Sequence, residues 1–205
     1  MPGPPTNGRG SDDAGRSTLI SAIQNLLDEA SWRSGNPPER ALVALFAAME
    51  PQRLDQFLRE MVMRALTELE MERATGPLTS IREVVAGTRR HQELAEAEWE
   101  EFPGGDCILD AIQAIEASGR LWRAALKSLS HAVAAAESAV GAVVEHRDCQ
   151  RDPDGWARYR QKVAEPGPID PRNTSPERIA LRVRDRHEVW RMMLSGLREQ
   201  TPPPD

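Results

Sequence analysis

From about Ser17 to Gln200 the apolar residues recur at helical spacing, and nowhere do they alternate as a half-buried strand requires. Leu19, Ile20, Ile23, Leu26, Leu27 and Ala30 share one face of a helix expected over 17–32, with Ser17 as its cap. ERALVALFAAME is apolar around most of its circumference and should form the most buried helix, at 38–49. Pro51 opens the next, with Leu54, Phe57, Leu58, Met61, Ala65, Leu66 and Leu69 inward. Ser80 and Glu83 have capping-box spacing, and Ile81, Val84, Val85, Thr88, Leu94 and Ala95 extend a helix toward Phe102. Ile108, Leu109, Ile112 and Ile115 follow behind Asp106, in an element that either runs on to Glu145 or breaks at EASGR. Ile179, Val183, Trp190, Met193, Leu194 and Leu197 stripe the last helix, capped by Thr174 or Ser175 with Pro176 at its first position. The expected fold is all-α, an irregular helical bundle of about six or seven helices with disordered termini.

Proline and glycine set the divisions. Residues 1–16 and 201–205 lack apolar periodicity and are expected to be disordered tails. Residues 17–146 form the bundle domain, 147–175 a connection of turn chemistry (DPDG, EPGPIDP, RNTSP) around a short helix near Trp156–Val163, and 176–200 the C-terminal helix. No fixed-period repeat and no sustained heptad is present. The run HAVAAAESAVGAVV, at 131–144, is built of small residues that let neighbouring helices come close.

A chain of 205 residues, 40% hydrophobic, buries a core without disulfide or metal staples. Two cysteines, Cys107 and Cys149, make no secreted disulfide framework, and neither the first residues nor any apolar run has the pattern of a signal peptide or a membrane span. The expectation is a cytoplasmic protein with reduced thiols and no membrane contact. The net charge of −6 disfavours generic binding to nucleic acid or anionic lipid. It is unevenly spread: 38–102 carries −5 and 151–200 carries +3. Of the 26 basic residues only Lys127 and Lys162 are lysine, which suggests a high-GC bacterial or viral genome and lowers the weight of arginine as a sign of phosphate binding. Five of the nine aromatics are tryptophan, a residue that serves core packing and binding surfaces alike.

Three stretches invite a chemical role. EHRDCQRDPDGW, at 145–156, contains the HRD of a kinase loop, but Pro153 stands where such a loop needs asparagine, and the rest of the kinase signature is missing. His146 and Cys149 supply two metal ligands at most, and a thiol near a helix C-terminus lacks the positive potential that makes a thiolate. His146 and Arg147 fit better as cations favoured at that end. ELAEAEWEE, at 93–101, sets Glu93 and Glu96 on one face; with Asp106 and Asp110 they could hold Mg²⁺ for phosphate hydrolysis, in the manner of all-α nucleotide pyrophosphohydrolases. The following acids, in DCILD, depart from the E-x-x-D of such enzymes, so a solvated acidic face is preferred and no metal or cofactor is expected.

RIALRVRDRHEVWRMML, at 178–194, repeats arginine at 178, 182 and 186. Such a helix can follow phosphates, yet Asp185 and Glu188 break its field, and Arg186 lies in the apolar stripe, where it could meet an acid of 93–101. Arg178, Arg182, Arg186, Trp190 and Met193 are therefore the candidate partner-binding residues, and no catalytic set stands out. The sequence points to a non-enzymatic helical protein–protein interaction or assembly module. A nucleic-acid-associated regulator using the arginine helix and a Mg²⁺-dependent all-α nucleotide phosphohydrolase are the alternatives.

Overall fold

The computed structural model describes Ser21, Leu26, residues 32–70, 78–94, 102–120, 125–152, Asp154, Ala157 and residues 175–199. The fold is an all-α bundle. Its described helices are α1 (Glu39–Ala47), α2 (Pro51–Glu70), α3 (Thr79–Val85), α4 (Gly105–Arg120), α5 (Ala125–Gln150) and α6 (Pro176–Glu199), with a 3-10 turn at His91–Glu93. Ser21 and Leu26 are helical too, and Leu26 is fully enclosed. The remainder of the helix expected at 17–32, both tails, the short helix near Trp156–Val163 except Ala157, and most of the 147–175 connection lie outside the described residues.

The question left open at residues 106–145 is answered by two helices. α4 and α5 fold back on each other, so that Ser118 and Ser128 each donate a hydroxyl to the other's carbonyl at 3.1 Å near one end, while Cys107 meets Glu145 toward the other. The pair can approach closely because α5 offers Ala132, Ala136, Ala139 and Ala142 to its neighbours, all buried. Gly104, at φ +87°, sits so close to the Ala142 carbonyl that a side chain there would collide with α5.

α5 is the hub and contacts α1, α2, α4 and α6. The expectation that the 38–49 helix would be the most enclosed is thereby corrected. α1 buries Leu42, Leu45 and Phe46 but leaves Ala44 and Ala47 in solvent. Alanine makes a helix apolar all round without demanding burial; its small size is what lets α5 take partners on several sides. In α2 all seven residues expected inward are buried, together with Val62.

The helix expected from Ile81 toward Phe102 is shorter. It ends at Val85, where Gly87 turns left-handed (φ +78°) and the Gly87 and Thr88 amides donate back to the Val84 and Glu83 carbonyls. Nor does the Ser80–Glu83 capping box form, because the helix starts at Thr79. A carboxylate from α2 acts instead: Glu70 accepts the Leu78 amide at 2.7 Å and pairs with Arg82. Among the described residues no helix is long and apolar enough to cross a membrane.

Candidate binding cleft

The cleft is built on α6. Ser175 caps the helix, its hydroxyl accepting the Arg178 amide at 3.3 Å, and Pro176 follows at the first position, where its missing N–H goes unused. The two halves of the helix then have different fates. Val189, Trp190, Met193, Leu194 and Leu197 lie in the core, while Ile179 is 50% exposed, the large apolar side chain in solvent among the described residues.

What fixes the first half is charge. Asp148, near the end of α5, is only 7% exposed in its side chain and receives two guanidinium groups. Arg178 donates to it from Nε and Nη2 at 3.0 Å each, and Arg182 from Nε at 2.9 Å. Arg178 also reaches Asp152 at 3.4 Å, Arg151 makes a two-pronged pair with the buried Asp185, and Arg147 bridges Glu68 of α2 and Glu188 of α6. Burial pushes the Asp148 carboxyl upward, but the bonds and charges of Arg178 and Arg182 together hold it below its ordinary value. The EHRD stretch is thus an electrostatic joint between α5 and α6.

Beside this joint opens a cleft of about 530 Å³. One wall is Ile179, Arg182, Val183 and Arg186 of α6; the opposite one is Gly141, Val144 and Glu145 of α5; Ser34 and Asn36 close the end. Those two residues belong to a tight turn in which Arg33 and Asn36 exchange backbone hydrogen bonds at 3.0 and 3.2 Å. Ser34 (φ +54°) and Gly35 (φ +76°) are both left-handed, as a two-residue hairpin turn of this hand requires. Gly35 presses on the Val183 carbonyl of α6 with no room for a side chain, and Trp32 stacks edge-on against His187 with ring centroids 4.7 Å apart.

Two polar groups of this lining lack partners among the described residues. Arg186 is half-buried, its Nε–H is enclosed without an acceptor, and it forms no ion pair with any described residue. The Asn36 Oδ1 is likewise enclosed without a donor. Glu145 shares its oxygen with the Cys107 thiol at 3.6 Å, and burial raises its carboxyl, with Asp106 and Asp148 adding to the effect against Arg182.

The residues marked by sequence part company here. Arg178 and Arg182 are committed to Asp148; Trp190 and Met193, 0% and 1% exposed, are covered by the chain's own helices and offer no contact surface. Arg186 stands at the cleft and makes no ion pair with Glu93; the other acids of 93–101 lie outside the described residues. Glu93, Asp106 and Asp110 are described, Glu96 is not, and no three potential ligands among the described residues converge on a metal position. The thiols are unfavourable nucleophiles: burial first, then Glu145, pushes Cys149 up to about 11 and Cys107 up to about 12.

In the sequence no role falls to Glu145, Ser34 or Asn36, and Asp148 figures only as the last residue of the HRD tripeptide. An acid within the last turn of a helix runs against the helix dipole, and that misfit was the available signal for Asp148. Comparison with protein families, with curated proteins and with solved structures finds no match for this chain.

Proposed function

We propose that this chain is a non-enzymatic helical interaction module that binds protein, either a second copy of itself or a different chain. The observation that carries it is the cleft beside α6, where an exposed Ile179 stands together with Arg186, which pairs with no acid among the described residues. Exposed apolar surface rimmed by polar groups is the usual mark of a protein contact, and arginine is among the residues that dominate such contacts. The nucleic-acid alternative is weakened by the pairing of Arg178 and Arg182 with Asp148, since neutralised guanidiniums release few counterions from a phosphate backbone.

The test is light scattering on a sizing column with absorbance followed at 260 and 280 nm, on the full chain alone and after recovery with cross-linked partners. A stoichiometric protein complex that is lost on Ile179→Asp supports the module. Nucleic acid that leaves with salt, or nucleotide turnover abolished by Glu93→Ala, overturns it.

A further inference from the structure

We propose that the cleft between α6, α5 and the 33–36 turn is a binding site for a glutamate or aspartate side chain carried between apolar residues of a partner peptide, with Arg186 as its anchor. This deepens the module reading and rests on it.

The chemistry of the lining selects the ligand. Arg186 is the arginine of its helix repeat that the acids among the described residues leave unmatched, since Arg178 and Arg182 both close on Asp148. A guanidinium half-removed from water without a carboxylate is an unfavourable arrangement that an incoming anion relieves, and its fork matches a carboxylate in two bonds. Ile179, Val183 and Val144 form apolar walls on either side, fitting aliphatic neighbours of the acid. Glu145 in the opposite wall disfavours a dianion, so a singly charged carboxylate suits the cleft better than a phosphate group. The 33–36 turn, held by its paired backbone bonds and seated by Gly35 against α6, forms the end wall of the cleft beside Arg186.

The experiment titrates a blocked Leu-Leu-Glu-Leu tetrapeptide, its Leu-Leu-Gln-Leu counterpart and inorganic phosphate into the full chain labelled with ¹⁵N at the arginine side chains. The Arg186 Nε–H signal is assigned by its absence in Arg186→Gln. The glutamate peptide is expected to move that signal saturably, with a Kd of about 0.1–1 mM for so short a probe, and the glutamine peptide to bind about tenfold or more weakly. Glu145→Gln should tighten the glutamate peptide about threefold or more, a gain that a merely structural role for the cleft does not produce. Ile179→Asp, at an exposed position that leaves the core untouched, should weaken it at least as much as Arg186→Gln. For Arg186→Gln, which lacks the reporter, binding is read by titration calorimetry. Equal binding of the two peptides, an equal response to phosphate, no saturable shift, or full binding by Arg186→Gln in the calorimeter overturns the proposal. Failure of the site is distinct from failure of the module: a protein complex that survives Arg186→Gln unchanged refutes the cleft and leaves the module standing. Specific binding of the glutamate peptide without any protein complex supports the cleft alone.

Discussion

Replacing Asp148 by alanine tests the joint between α5 and α6. Its carboxylate, 7% exposed, is the shared acceptor of Arg178 and Arg182, so its loss leaves two guanidinium groups facing each other. Removing one partner of a buried ion pair costs about 3–5 kcal/mol. The figure here is smaller, because Arg182 is 46% exposed and turns readily to water, and Arg178 keeps Asp152 at 3.4 Å. About 2–3 kcal/mol remains, which for a chain of this size lowers the thermal midpoint by ~5–10 °C. The sign of the pH dependence follows from the carboxyl being held below its ordinary value. Its contribution is complete above the unfolded pKa of about 3.9 and is lost as pH falls through the lower folded one. Scanning calorimetry from pH 7 to pH 2 should therefore show the difference between parent and Asp148→Ala narrowing only below about pH 4. Asp148→Leu combined with Arg178→Met and Arg182→Met should recover much of the loss, because an apolar set of similar volume needs no desolvation of charge. A midpoint shift under about 2 °C for Asp148→Ala, or a triple variant as unstable as the single one, would refute the reasoning.

Glu145→Gln has the opposite pH signature: burial raises the native carboxyl, so parent stability falls as pH climbs through and above about 4.3, and the variant should melt higher at pH 7 but not at pH 4. Both thiols are held well above their ordinary range, so iodoacetamide at pH 8 should label native Cys107 and Cys149 at least about tenfold more slowly than the chain unfolded in guanidinium, measured by intact mass. Gly104→Ala combines left-handed backbone with a collision against the Ala142 carbonyl and should cost about 3 kcal/mol or more in chemical denaturation. Gly119→Ala, with open space around the added carbon inside α4, should instead gain up to about 1 kcal/mol.

Local chemistry was legible in the sequence wherever one element carries its own instructions. The inward face of α2, the proline break before it and the Ser175 cap of α6 were all readable, because apolar spacing and capping act over three or four residues. Misjudgement began where an element's limits depend on another. Glu70 of α2 takes the place of the capping box at α3, and the enclosure of α5 over α1 comes from how many neighbours small residues admit.

The sequence by itself determined that this chain is helical, where most of its helices begin, and that 178–186 carries a repeated cation. Only the tertiary structure decided which of these cations meet a carboxylate among the described residues. Arg178, Arg182 and Arg186 are equivalent in the repeat, yet their fates depend on Asp148, some 30 positions away, and on a turn at 33–36 that walls in the third. A guanidinium's energy is set by what lies within a few ångströms of it, and the path of the folded chain fixes that neighbourhood.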